Sequence, residues 1–466
     1  MPMSDAVTET ISRHQQRAVD RAAPTASPGR LRTLELLLVL FASVLNGGAL
    51  YLVQLGAAGA FDSSFFVPAT GLAVLVLGMH VALRFIAPNA DPFILPIATL
   101  LNGLGIAGIY RLDLAYGVSG WDSVAVRQVV WTGLAIVVAI GVLVLLRNHR
   151  VLQRYRYIAM FVGLLLLLLP MLPLIGREIN GARVWIGIGS FSFQPGEIAK
   201  IALAVFFAGY LVTARDSLSM VGAKVLGLRF PRVRDLGPIL VIWAAAMAVL
   251  VFQRDLGTSL LYFGLFVVMI YVATGRLSWV LLGLLLFVGG ALAAAQLGYV
   301  GGRLNAWLTP FDPAVYDAQG GSYQLVTGLF GLAHGGLIGT GLGQGMPNIT
   351  PLANSDFIIA SLGEELGLAG LFAILALYLL LVSRGFRIGF AGQDDFGKLL
   401  GIGLSFVVAL QVFIVIGGVT RVIPLTGLTT PFMAAGGSSL LANWIIAAIL
   451  LRLSDTVRNQ PRAVVQ

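Results

Sequence analysis

Residues 128–146 read QVVWTGLAIVVAIGVLVLL, nineteen positions without one Asp, Glu, Lys or Arg. The hydrocarbon core of a bilayer is about 30 Å thick, so a spanning helix takes roughly 20 mostly apolar residues. This stretch meets that requirement on its own, and backbone groups with no water to bond are forced into a helix. Working outward, similar segments lie near 34–56, 65–87, 92–110, 157–175, 196–213, 237–252, 257–274, 278–298, 323–342, 357–382, 399–418 and 438–453, thirteen in all. The segment at 323–342 is dense in glycine and carries His334, so it reads as a re-entrant or partial piece. The chain is therefore expected to be an all-α polytopic integral membrane protein of about twelve transmembrane helices.

Composition agrees. Of 466 residues, 58% are apolar and 11% charged, and the mean hydropathy of +0.91 excludes a soluble globular domain. Cysteine is absent and the four histidines are dispersed, which excludes disulfides, thiolate chemistry and a His/Cys zinc site. The net charge of +9 sits in short loops between apolar segments. Membrane lipids with anionic headgroups, and not nucleic acid, are the partners this implies.

Charge also orients the chain. With twelve crossings and both termini cytoplasmic, the inner loops and tails hold 22 of the 30 Lys and Arg residues, and Lys200 lies within a helix. The outer loops hold seven: Arg111, Arg127, Arg177, Arg183, Arg254, Arg303 and Arg421. The bias follows the positive-inside rule and leaves the outer arginines to be explained. Residues 1–32, polar and arginine-bearing, read as a disordered cytoplasmic tail; lacking an apolar core and a cleavage site, they are no signal peptide. No internal repeat of the kind many transporters carry is visible.

Five outer segments hold the candidate chemistry. The longest loop, 299–323, offers Arg303, Asp312 and Asp317, followed by Gly320 and Gly321. Its aspartates suit turns as well as catalysis. The segment 177–200 carries Arg183 and Trp185 on an amphipathic stretch suited to the interface. Glu197 and Lys200, three apart, share a helix face there, as a functional pair or a structural salt bridge. VFQRDLGTSL places Arg254 and Asp255 at a helix start, where Asp255 can cap free amides. NSDFIIASLGEELG puts Asp356, Glu364 and Glu365 on a largely apolar helix, where ionisable groups are functional candidates or interhelical pairs. The last loop, with Arg421, is rich in Gly and Pro, and irregular backbone of that kind must be buried or line a cavity. Together these segments describe a polar cavity open to the outside, with Arg183, Arg254, Arg303 and Arg421 available to an anion such as a lipid phosphate.

In order along 92–453, the stretches NGARVWI, FQPGEIAK, QRDLGTSL, DPAVYDAQGGSYQ, SDFI with GEELGLAG, and IPLTGLTTPF with GGSSL resemble the shape, elongation, division and sporulation (SEDS) family of RodA and FtsW. This chain has FQPGE where the family usually has FQPSE, QRDLGT for QPDLGT and AAGGSS for SYGGSS. The resemblance implies a ten-helix glycosyltransferase core over 91–453 with an extracellular loop at 299–323. Two additional N-terminal helices at 33–90 are like those of actinobacterial RodA-like proteins, and 454–466 form a cytoplasmic tail.

It further implies a peptidoglycan glycosyltransferase in the bacterial cytoplasmic membrane, polymerising lipid II into glycan strands at the outer face. A class B penicillin-binding protein that crosslinks the product would be its partner. The family's essential aspartate stands six residues before a motif tyrosine, which falls on Asp317 counted from Tyr323; Asp312 matches the upstream aspartate. Arg183, Trp185, Lys200 and Asp255 fall on other motif positions associated with the cavity. Departure of a pyrophosphate needs charge stabilisation, from arginines or a divalent cation such as Mg or Mn, while the attacking hydroxyl needs a base. No cofactor is otherwise implied. The competing readings are a lipid II flippase or transporter, a non-catalytic scaffold, and the FtsW-type division paralogue in place of an elongation and cell-shape role.

Overall fold

A computed structural model of the chain describes residues 27–60, 62–179, 181–188, 191–219 and 251–459, with scattered positions between 220 and 250. Most of the tail expected at 1–32, most of the helix expected at 237–252, and residues 460–466 lie outside the described residues. In chain order the main elements begin with α1 (Pro28–Ala58), α2 (Phe66–Ile86), α3 (Ile94–Ala115), α4 (Val124–Leu145) and α5 (Arg156–Leu168). A small sheet follows, of β1 (Gly176–Ile179), β2 (Ala182–Ile188) and β3 (Phe191–Phe193). Then come α6 (Pro195–Ser219), α7 (Leu256–Thr274), α8 (Leu277–Ala294), α9 (Gly298–Leu308) and α10 (Tyr323–Gly335). The chain closes with α11 (Ile358–Ala391), α12 (Asp395–Val419) and α13 (Gly437–Asn459).

Ten of the described helices are long and apolar enough to cross a bilayer, and α5 is a shorter apolar helix. The chain is thus an all-α polytopic membrane protein apart from its small sheet and a two-residue antiparallel pair, Lys224–Val225 with Leu228–Arg229. The first helix begins at Pro28, inside the expected tail, because proline at the first helical position gives up an amide that would be unbonded anyway. The helix α13 continues through all of 454–459, where a tail was expected, up to the end of the described residues.

Side-chain caps fix where helices start. Asp113, at the end of α3, accepts the amides of Val124 (3.1 Å) and Ala125 (2.8 Å) at the N-terminus of α4. Asp394 accepts the Gly397 amide at 2.8 Å to open α12. α3 is nearly enclosed, with 89% of its most apolar window buried, whereas α1, α2 and α4 each bury 33% and turn the remainder outward. α1 meets α3 through Asn46, which donates to the Thr99 carbonyl at 3.0 Å over Gly103, where a Cβ would lie 2.0 Å from the Asn46 amide.

Charged groups gather at the membrane face opposite the candidate cavity. Glu35 of α1 binds Arg32 (2.8 Å) and His80 of α2 (2.7 Å), all buried. Asp91 lies 3.0 Å from Arg458 and 3.7 Å from Arg384. Arg452 of α13 donates to the carbonyl of Ile86 at 3.1 Å and to that of Leu143, so one guanidinium covers unbonded carbonyls in the last turns of α2 and α4.

Two features depart from a plain helical bundle. α11 is broken at Gly367 (φ 68°, ψ −173°), and the glycine-rich loop after α10 completes its backbone bonding. Thr340 and Gly341 donate to the carbonyls of Glu364 and Glu365 (both 3.0 Å), while Leu368 and Ala369 donate to Gly336 (2.9 Å) and Leu337 (3.0 Å). α10 has only thirteen residues, so the segment expected to be partial at 323–342 is a short helix plus this loop. The stretch expected as an amphipathic interfacial segment around Arg183 is instead the antiparallel sheet β1-β2-β3. Val184 and Ile186 are buried while Arg183 between them and the turn is exposed, the alternation of a strand, and Gly181 (φ 79°) supplies the turn.

Candidate functional site

The site is built on the first turns of α6. Glu197 and Lys200 fall on one face, both buried, and Lys200 bonds Glu197 at 2.5 Å. A buried ammonium needs further partners, and Gln411 of α12 accepts from it at 2.8 Å. Gln411 in turn donates to the Thr429 carbonyl (2.8 Å), Thr429 bonds Ser439 (2.8 Å), and Asn443 donates to the Ser439 carbonyl (2.8 Å). Tyr262 of α7 donates to the Gly196 carbonyl at 2.8 Å. A continuous polar ladder therefore joins α6, α7, α12, α13 and the loop between the last two. Gln411 carried a signal in the sequence, a lone amide in LSFVVALQVFIVIGG, which the reading by charge passed over.

Above the ladder, Asp255 caps α7, accepting the Thr258 amide at 2.9 Å and its hydroxyl at 2.5 Å. Burial pushes its carboxyl up from the usual range, while the Thr258 bonds and the nearby Arg303 guanidinium oppose the shift. Arg303, on α9, donates to the carbonyls of Thr426 (3.0 Å) and Leu425 (3.4 Å). Asp356, just before α11, is half-buried, and its carboxyl is pushed up to about 7 by burial, with Arg303 acting against it. Gly427, at φ 79°, turns the backbone beside Asp356, where a Cβ would be in ordinary contact 3.7 Å from the Asp356 Oδ2. Arg254 is exposed and held at φ 55° beside Asp255.

The loop after α9 folds tightly. Asp312 accepts the Ala314 amide at 3.0 Å and opens a single helical turn, Pro313–Tyr316, which Asp317 closes with its own amide on the Pro313 carbonyl (3.1 Å). Ser322 donates through its hydroxyl to Pro310 (2.6 Å) and through its amide to Val315 (3.2 Å). A Cβ at Gly321 would lie 2.0 Å from the Val315 carbonyl, so the crossing requires glycine. Asp317 is left exposed at the tip, its carboxylate making no hydrogen bond or ion pair among the described residues.

The structure thus brings Glu197, Lys200, Asp255 and Arg303 together and adds Asp356. Arg421 (φ 60°) instead binds carbonyls at the end of α9. Arg183 pairs with Glu178 at 3.2 Å on the exposed side of the sheet, and Trp185, half-buried, stands opposite Arg177 in register. Glu364 belongs elsewhere: buried on α11, it accepts the Met346 amide (2.8 Å) and meets His334 (3.1 Å), beside the Arg111–Glu365 pair (2.9 Å). Among the described residues no group of three or more His, Cys, Asp or Glu is placed to hold a metal ion.

These observations define a class: a polytopic membrane protein with a cluster of ionisable side chains buried among its helices and a folded, carboxylate-bearing loop fastened beside it through arginines. The chain belongs to the FtsW, RodA and SpoVE family of cell cycle proteins, whose family model matches residues 92–459. The match begins after α2, leaving the N-terminal helix pair outside it. The peptidoglycan glycosyltransferase RodA of Mycobacterium tuberculosis (strain ATCC 25618 / H37Rv) is 47% identical over 437 residues, 92% of each chain. The protein of the same name from Mycobacterium leprae is 45% identical, covering 93% of this chain and 92% of its own. Among solved structures, a chain from a peptidoglycan synthase complex that coordinates polymerization and crosslinking superposes with a TM-score of 0.62 at 26% identity, covering 80% of this chain and 99% of its own. The crystal structure of RodA from Thermus thermophilus gives 0.56 at 26% identity, with 80% and 98% covered.

Proposed function

We propose that this chain is a peptidoglycan glycosyltransferase that polymerises lipid II into glycan strands at the outer face of the bacterial cytoplasmic membrane, with both termini cytoplasmic. The observation that carries the reading is the exposed Asp317, on a loop whose root is fastened beside the buried Glu197, Lys200 and Asp255 and the half-buried Arg303. Asp317 is the general base. It takes the proton of the acceptor sugar's hydroxyl as that oxygen bonds the donor's anomeric carbon, and the bond to pyrophosphate breaks with its electron pair leaving on phosphate. An inverting displacement needs no acidic carboxyl on the leaving side, only positive charge. Arg254 and Arg303 provide it, Lys200, paired with Glu197, orders the buried groups beside them, and Arg183, with Trp185, adds charge from the neighbouring sheet.

A divalent cation, Mg or Mn, at the pyrophosphate is part of the proposal. Mg²⁺ is ordinarily held by one or two carboxylates together with phosphate oxygens, a donor set the cavity's aspartates fit once substrate is bound. Next to the ladder, an apolar cavity of about 400 Å³ lined by Met160, Leu164, Phe206, Phe207, Tyr210 and Tyr262 suits the substrate's hydrocarbon tail. The elongation and cell-shape role is supported by the higher identity to proteins named RodA than to those named FtsW, 47% against 34% or less. A class B penicillin-binding protein is the proposed partner, in keeping with the crosslinking complex among the structural relatives. Purified protein given lipid II tests the reading: polymer chains support it, whereas translocation across vesicles without chains makes the protein a flippase.

A further inference from the structure

We infer that Trp307 and Arg421 form a clasp that holds the root of the Asp317 loop beside Asp255 and Arg303, which makes both of them positioning residues and not ligands of the substrate's pyrophosphate. The inference rests on the proposed role of Asp317. The contacts are reciprocal: the Trp307 indole donates to the Arg421 carbonyl at 3.1 Å, and Arg421 Nε donates back to the Trp307 carbonyl at 2.8 Å. Arg421 Nη2 adds a bond to the Leu308 carbonyl at 3.1 Å. These are the last two carbonyls of α9, which have no partner inside the helix and carry the negative end of its dipole, so a guanidinium fits them twice over.

The backbone at Arg421 strengthens the case. Its φ of 60° lies where a Cβ is strained and glycine is at ease, and the turn it makes is tight, with Val422 bonding back to Gly417 at 2.7 Å. A residue kept in that conformation supplies something glycine cannot. Here that is the guanidinium, and the structure shows it spent on α9. Arg303 and Trp307 are four residues apart on one face of α9, so Arg303 on Thr426 and Trp307 on Arg421 fasten the helix to the loop between α12 and α13 at two points. The next residues, folded by Ser322 onto Pro310, carry Asp317 rigidly from that anchorage.

The test uses the purified full-length chain with Trp307→Phe, Arg421→Gly and Arg421→Lys. Since the chain has no cysteine, spin labels at Ala314→Cys and Asn348→Cys, both exposed positions, report the loop's position independently of activity. Steady-state polymerisation of lipid II gives kcat and KM. The clasp predicts a broadened label distance and a kcat lower by about 10²-fold, with KM near the parent's, in both Trp307→Phe and Arg421→Gly, and partial recovery in Arg421→Lys. Trp307→Phe keeps the arginine and most of the ring, so it guards against a glycine variant that fails to fold. A raised KM in Arg421→Gly with an unchanged distance, beside a parent-like Trp307→Phe, makes Arg421 a phosphate ligand and overturns the inference. Unbroadened distances in every variant overturn it as well. If the parent makes no polymer and the distances still broaden, the clasp stands and the proposed reaction falls.

Discussion

Asp312 and Asp317 stand five residues apart on one loop and meet different surroundings: the first caps a helical turn, the second ends that turn with its carboxylate in the open. Asp317→Asn keeps the shape and removes the basicity, so polymerisation should fall by about 10²–10⁴-fold while lipid II affinity is retained. Asparagine caps nearly as well as aspartate, so Asp312→Asn should stay active. Glycan yield and lipid II binding by the two purified variants check this, and a parental rate from Asp317→Asn places the base elsewhere. Asp356 gives a pH signature. Its carboxyl is raised from 3.8 to about 7, so the folded chain holds the proton to higher pH than the unfolded one. The parent therefore loses stability as pH rises from about 4 towards 7, with the whole penalty present above that, and Asp356→Asn escapes it. The Tm difference in the variant's favour should grow between those limits; a difference that stays flat refutes the shift. Charge in an apolar chain is conspicuous, which is why Lys200, Asp255 and Arg303 were legible as site candidates. Neutral Gln411 and Trp307 were not, because amides and indoles inside membrane proteins are common and only the fold shows what they bond.

Among the elements, α11 shows how much a single glycine decides. The break at Gly367 is held by four backbone bonds to the loop after α10, and a Cβ there would lie 2.3 Å from the Gly339 nitrogen at a φ of 68°. Gly367→Ala should lower Tm sharply, through both the steric clash and a backbone cost of roughly 1–3 kcal/mol for a positive-φ, extended conformation that essentially only glycine adopts. Gly141→Ala, where nothing lies within 4 Å, should not. Thermal unfolding in detergent compares the two, and equal Tm values would show that the break is unimportant. Spans were legible in the sequence because lipid imposes one length and one polarity on each of them. The sheet was not: β1 to β3 are short and lie outside the apolar segments, and Val184, Trp185 and Ile186 are all apolar, so the strand's alternation shows only in their burial.

At the scale of the molecule, the match to the family begins at residue 92, after the N-terminal helix pair. Sidedness belongs to this scale too. The arginine bias predicts Arg150 inside and Asp317 outside, and single cysteines at these positions in intact cells should label only at 317; labelling of 317 only after the inner face is opened reverses the orientation. The site's parts were legible as a set from one leaflet, but their pairing was not, since contacts between residues over a hundred positions apart, such as Arg303 with Thr426, follow from helix packing and leave no local pattern.

Arg452 sets a clock on biogenesis. The carbonyls it covers belong to Ile86 and Leu143, 366 and 309 residues earlier in the chain. At ribosomal speeds of about 5–20 residues per second, the ends of α2 and α4 stand in the membrane for roughly 15–70 s before their partner is synthesised. During that interval the early helices must be kept parted by lipid, water or the insertion machinery. The fold therefore closes from α13, and the packing of α2 and α4 is completed only after that helix has been made.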